Sequence, residues 1–495
     1  MRRVPLLSGS RVVLVPASDD DVILRPPPPP ERVVDVAAAV RDALRFPLSG
    51  ARLDALVTPG GRATILVEPA ALPLPGAPQD ARQSAIAVTI AELERCGVPD
   101  ERQTILVAGG LGRRFGQREL EHLLSPPQAR AFRGRVVVHD AEDDALVPVG
   151  DGVRIHPALI ETDLVLAVTA AETVLHGGPG ALIAACDTAT IRGSASTDSL
   201  LEAAGSPVWA LGLALEAAVT TRAALAGVSL VLDLPRLTGT FRGYPDDLAQ
   251  VARVARSPLR AFFSLLPNAL RRELLAGQGR RMETTGAYAG TPSVAHAEAL
   301  LRGIALRGTE LEEPVDALVL GVPWIGPHVP REPLNPITVA AVGLGLALRL
   351  RRDAFPIRSD GSLILVHPLT RSFAHGTQAP YAAMFNALRT VRDGDELAEA
   401  ERAAAADARA LAAYRAGTAC HPLLPYADWA GCAPALSRLG RVIVAGCRDA
   451  AAARTLGFVP SHGISSALEM AHGMAGGHAR VGILLAPPYA PLLVG

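Results

Sequence analysis

The sequence predicts an α/β protein of two domains, each built around a mainly parallel β-sheet. Three observations carry that expectation. Short β-branched apolar runs recur along the chain, and longer alanine- and leucine-rich segments with helical spacing separate them. The alternation is that of parallel-sheet layers. With 495 residues, 49% hydrophobic and 20% charged, the chain also has enough apolar material for more than one core.

Taken in order, the elements begin after an N-terminus, MRRVPLLSGSRVVLVPASDD, whose apolar runs are broken by Ser, Gly and Arg before reaching signal-core length. Export is therefore not expected, and a cytoplasmic location is. The run Pro26–Pro30 reads as an extended polyproline spacer, with a ligand for proline-reading domains as the less favoured alternative. Strands are expected at Ala63–Val67, Thr104–Ala108, Val136–His139, Asp163–Val168 and Ser229–Leu232. A helix over Asp80–Cys96 should stop at Gly97, with Pro99 just beyond. An acidic stretch around Gly308–Pro314 marks the domain boundary, giving domains 1–308 and 309–495. Strands follow at Asp316–Leu320, Ser362–Val366, Arg441–Ala445 and Arg480–Leu485, with a surface helix over Asp395–Tyr414 between the second and third of them. No internal repeat is visible.

Composition excludes several function classes. A formal net charge of −1 provides no global field for nucleic acid or an anionic membrane, so neither is expected as a partner. No window is long and apolar enough to span a bilayer. The five cysteines show no CxxC spacing, which predicts ordinary reduced thiols and no metal site. All 48 basic residues are arginine. Without a lysine there can be no Schiff base, no phosphate-loop lysine and no lysine-tethered cofactor.

Several separated segments resemble one family. ATILVEPAALPLPG, with Pro73 and Pro75, stands where the family has a strand followed by D-H-T-R-P-x-P. ILVAGGLGRRFGQREL is similar to a strand with A-T-G-x-H-R-P. TDLVLAVTAAETVLHGGPGALIAACDTATI keeps Glu172 and the Gly177–Gly178 pair of a strand, E-x-H and G-G-R-K pattern. PLNPITVAAVGLG, from Pro333, resembles P-L-D-x-N-x-Y-Q-A-V-K-G, and GSLILVHPLTRSFAHG ends in His375 and Gly376, similar to a D-G-H-G loop. By their order and spacing, the chain is identified as a divergent member of the nickel-dependent lactate racemase family. That resemblance implies two α/β domains flanking a central cleft. It also implies a nickel-pincer nucleotide and interconversion of D- and L-2-hydroxy acids, with paired histidines as acid and base.

The departures from the family pattern fall on its chemistry. The motif histidines align with Gly112 and Val174, and D-H-T-R becomes Pro69, Ala70, Ala71 and Leu72. The tethering lysine falls at or near Gly180, and Q-A-V-K becomes Ala340 to Gly343. Glycine, valine and alanine exchange no protons. No cofactor is therefore expected, because the lysine that the family uses to hold the pincer is absent.

Replacement chemistry has a short list of carriers. His176 precedes a Gly-Gly-Pro-Gly turn where a ligand can approach the backbone, and Glu172 is the nearest retained carboxylate. With His375 they are the catalytic candidates. Arg113 and Arg114 follow the glycines of a strand's carboxyl end, where open α/β sheets bind ligands. They join His367 and Arg371, just beyond SLILV, as candidates for gripping a small carboxylate. His462, His472 and His478 lack metal-pair spacing. Ser194, Ser196 and Asp198 lack a nucleophile elbow. Three readings follow: a racemase-fold protein that binds a small carboxylate without pincer chemistry, a 2-hydroxy-acid racemase or epimerase using displaced residues, and a non-catalytic assembly partner with a closed cleft.

Overall fold

The computed structural model describes the chain except for residues 1, 29, 31–32, 71–79, 122, 235–240, 278–282, 324–333, 375 and 486–489. Two six-stranded sheets organise it. The strands of these two sheets and of an N-terminal hairpin are β1 (Arg2–Ser8), β2 (Arg11–Ala17), β3 (Val22–Leu24), β4 (Ala63–Val67), β5 (Gln103–Val107), β6 (Arg135–Val138), β7 (Leu164–Ala170), β8 (Ala224–Leu232), β9 (Thr284–Gly290), β10 (Val315–Gly321), β11 (Ile357–Val366), β12 (Arg441–Ala445), β13 (Val459–Ser461) and β14 (Val481–Leu484). The first sheet has the order β9-β8-β7-β4-β5-β6 and the second β13-β12-β11-β10-β14-β3. In the first, only β9 runs antiparallel, and the second is wholly parallel.

Each of the nine expected strands overlaps an observed one, because parallel strands buried on both faces must be almost continuously apolar. Period-two alternation then splits each strand between two cores. Ile65 and Val67 of β4 point into one layer with Ile86 and Leu93, while Leu66 joins Leu106, Leu182 and Leu215 on the opposite face. Leu318 and Leu320 of β10 pack with Ile337, Leu344 and Phe385, and Val319 packs with Val4, Leu6 and Val15.

The expected helix over 80–96 is observed as Ala81–Arg95. Asp80 caps it by accepting from the Arg82 N–H, and Gly97 follows at φ +98. The surface helix expected over 395–414 is instead two, Gly394–Ala405 and Ala408–Arg415. Asp407 accepts from the Arg409 and Ala410 N–H groups, so a side chain that competes with the backbone starts a second helix rather than continuing the first.

The N-terminal residues cross to the other half of the chain. β1 and β2 form an antiparallel hairpin that packs on the second sheet, and β3 pairs with β14 at that sheet's edge. A joint core of Val174, Leu200, Ala299, Ile304 and Leu350 connects the two halves.

Candidate functional site

Segments from both halves of the chain meet at a cavity of about 270 Å³ between the two sheets. From the first sheet come the loops after β4 (Glu68–Ala70), after β5 (Ala108–Arg113) and after β7 (Leu175–Gly180). All three leave carboxyl ends of adjacent parallel strands, the edge where open α/β sheets gather ligands. The other half contributes Ala341–Arg349 and Leu424–Gly431. Asn335 caps the helix Pro336–Ala340 by accepting from the Ile337 and Thr338 N–H groups, each at 3.0 Å. That helix widens into a π-helical stretch over Ala341–Ala347, an irregularity frequent where helices line functional sites.

The wall is mostly apolar, and its lining includes several positions at which the resemblance to the racemase family implies polar side chains. Pro69, Ala70, Gly112, Gly180, Ala341 and Val342 all line the cavity. Val174 does not, being packed in the joint core at 0% exposure. Gly180 is fixed sterically. A Cβ there would stand 2.1 Å from the Leu175 carbonyl oxygen, so no side chain, lysine included, fits without moving the loop.

The polar groups that remain are organised. His176 Nδ1 lies 2.9 Å from Glu68 Oε1, and the other carboxylate oxygen accepts the Gly177 N–H at 2.7 Å. With Nδ1–H donated to a carboxylate, the neutral ring carries its lone pair on Nε2. The loop is held from below. Thr173 Oγ1 accepts from the Leu175 and His176 N–H groups, and Thr169 Oγ1 accepts from Gly178 N–H. Fully buried His296 donates from Nε2 to the Thr173 carbonyl at 2.9 Å. Its Nδ1 is then the acceptor for the Ser229 hydroxyl at 3.2 Å. Desolvation lowers the His296 pKa to about 4. Gly177 and Gly178 have φ of +96 and +52, and a Cβ on either would come within 2.4 Å of the His296 side chain. Only glycine allows that approach.

Arg82 lies beneath this loop with 1% exposure, bridging Asp80 at 2.9 Å and Glu172 at 3.1 Å. Burial alone lowers a guanidinium pKa, but Asp80 and Glu172, with Glu68 behind them, outweigh it and the net shift is upward. Glu172 is thus a buried ion-pair partner rather than a lining residue.

On the opposite wall, Arg349 is 5% exposed and lines the cavity. It donates to the carbonyl oxygens of Thr197 (2.7 Å), Gly345 (3.2 Å) and Ala195 (3.0 Å). Among the described residues no carboxylate touches it. Burial lowers its pKa to about 10, with Cys432 and Asp198 acting in the other direction. Asp428 also faces the cavity, with one carboxylate oxygen 2.6 Å from the Tyr381 hydroxyl.

The sequence-derived candidates are distributed as follows. His176 and Arg113 reach the cavity, but Arg113 is paired with Glu119 and donates to the Gly417 carbonyl. Arg114 donates to the Arg415 and Val138 carbonyls and lies 3.6 Å from Asp140, tying the halves together. Tyr414 and His421 do the same, through Ala141 N–H and the Leu111 carbonyl. His367 is buried beside Gly9, its pKa lowered to about 4 by desolvation. Arg371 sits outside, bonded to Asn386 and over the Phe385 ring. His375 lies outside the described residues, as do Leu72, Pro73 and Pro75. Sequence reasoning missed Glu68, Arg349 and Asp428. A carboxylate closing strand ATILV was the signal available for Glu68, and the other two had none.

Residues 9–176 match the model of the lactate racemase N-terminal domain. The fold is similar to the lactate racemase apoprotein from Thermoanaerobacterium thermosaccharolyticum, with a TM-score of 0.63 at 14% identity over 100% of both chains. It is also similar to a protein from Thermotoga maritima, with a TM-score of 0.52 at 11% identity over 94% of this chain and 100% of that one. No curated protein matches the sequence.

Proposed function

We propose that this chain, a lactate-racemase-like protein by its N-terminal domain and its α/β fold, binds a small carboxylate in the cavity between its sheets and does so without a lysine-tethered nickel pincer. The observation that carries this reading is the pairing of walls. Arg349, a cation with only carbonyl partners among the described residues, lines the same 270 Å³ space as the Glu68–His176 pair. A guanidinium has five N–H groups, so three carbonyl bonds leave donors for a ligand anion. The family's cofactor does not fit these residues. The chain has no lysine, and the backbone at Gly180 has no room for one.

The Glu68–His176 pair favours one elaboration, a proton-exchanging isomerase. Glu68 holds the imidazole tautomer whose Nε2 accepts a proton. Asp428, brought from the other half of the chain, is the second titratable group on the wall. An open cavity of this size argues against a cleft closed for a purely structural role.

Calorimetric titration with D- and L-2-hydroxy acids tests the binding. Arg349→Met should weaken it about 10- to 100-fold, the range expected for one charge-assisted hydrogen bond. Equal affinity in wild type and variant, or no heat with any small carboxylate, would sink the reading. Proton NMR in D2O tests the chemistry. Exchange at the ligand α-carbon that His176→Gln abolishes supports the isomerase, and its absence in wild type leaves binding alone.

A further inference from the structure

Residues 247–277 form three consecutive helices, α1 (Leu248–Arg256), α2 (Pro258–Leu265) and α3 (Asn268–Gly277). Their inner face is anchored. Val251 and Val254 of α1, with Tyr244 just before it, enter the core beneath the β1–β2 hairpin, and the Tyr244 hydroxyl donates to the Pro5 carbonyl at 2.7 Å. Their outer face carries apolar side chains that no described residue covers. Leu259 is 62% exposed, Phe262 64% and Leu265 83%, and α2 buries none of its residues. Leu248, Leu270 and Leu274 extend the exposed apolar surface to both neighbouring helices. Single exposed leucines are ordinary, but a series of them along one short stretch of chain marks an interaction surface.

Charge indicates the partner. Residues 247–277 contain five arginines, of which Arg271 is buried and Arg253, Arg256, Arg260 and Arg272 stand at or near the surface, against Asp247 and Glu273. The whole chain has a formal charge of −1, so the average over the molecule hides a local cationic field. A second copy would have to meet this patch isologously, placing the same arginines against one another. A partner that offers a groove reads one ridge of a single helix. Here the apolar side chains are spread over three helices, as on a surface that lies against an interface. We infer that α1 to α3 dock on the anionic surface of a lipid bilayer, with Leu259, Phe262 and Leu265 entering the acyl boundary and arginines meeting the headgroup phosphates. Among the described residues no helix is long and apolar enough to cross a membrane, so the attachment is peripheral and reversible. It is separate from the cavity chemistry.

The test is co-sedimentation of the full chain with vesicles of phosphatidylcholine alone or mixed with phosphatidylglycerol. Binding should appear with the anionic mixture, weaken as salt is raised, and fall at least about tenfold in Phe262→Asp/Leu265→Asp. Both positions are exposed, so the variant should keep the wild-type melting curve, and a Leu213→Asp variant, exposed elsewhere, controls for charge. No pelleting with anionic vesicles overturns the inference. So does unchanged binding by the double variant, or a concentration-dependent dimer in gel filtration that the double variant dissociates, which would assign the patch to a second copy.

Discussion

Acidification should destabilise the fold, and His296 beneath the site loop contributes a share whose size can be worked out. In the native state its pKa is about 4 because burial penalises the imidazolium, whereas an unfolded histidine titrates near 6.5. As pH falls below about 6.5 the unfolded chain takes up a proton that the native chain refuses, so stability falls until the native group also titrates near pH 4. At pH 5 the loss from this one group is about 2 kcal/mol, approaching about 3.4 kcal/mol at the lower limit. His139 and His367 are shifted in the same direction to about 4 by the same burial, so wild type should lose more than this in total. His296→Gln isolates the contribution, since the glutamine amide keeps a donor for the Thr173 carbonyl and has no proton to gain. Trp209, whose ring centroid lies 6.1 Å from that of His296, provides a local fluorescence probe in a background where Trp324 and Trp429 are replaced by Phe. Urea unfolding followed at Trp209 should show the wild-type midpoint falling between pH 7 and pH 5, and the variant losing about 2 kcal/mol less. If the variant loses as much as wild type, the burial argument for His296 is wrong.

Three further perturbations probe the same architecture. Gly180→Ala forces a methyl against the Leu175 carbonyl oxygen, and because the obstacle is backbone the cost should sit near the top of the overpacking range, about 3 kcal/mol; a thermal melt matching wild type would refute this. Arg82→Met leaves the carboxylates of Asp80 and Glu172 buried without their shared cation and should destabilise by about 3–5 kcal/mol by urea titration. Arg82→Lys should recover only part of the loss, since one ammonium spans two carboxylates less well than a planar guanidinium. Gly431→Ala places a Cβ 2.8 Å from Arg349 Nη1; with the guanidinium pinned by three carbonyls, ligand affinity should drop while the melting temperature moves little, and an unchanged titration isotherm would separate Arg349 from binding.

The sequence by itself determined the layered α/β character and the position of nine strands. A parallel strand covered on both faces needs an unbroken apolar run, and ATILV or RVIVA can hardly be anything else. It also determined what the chain cannot do, since a protein without lysine cannot tether a cofactor through one. It located His176 and Arg113 near a strand's carboxyl edge because glycines mark that turn. Tertiary structure decided the rest. The strand Val22–Leu24 is too short to announce a partner, and only the exposed edge of β14 recruits it across the molecule. Arg349 looks like any other arginine until carbonyls from residues 195 and 197 reach it across some 150 positions of chain. Glu68 becomes a histidine partner only when β4 and β7 lie side by side. Each of these depends on contacts between residues distant in the chain, which no local pattern of residue types encodes. Chemistry at the cavity is assembled by that long-range pairing, whereas the layers that support it are written in local periodicity.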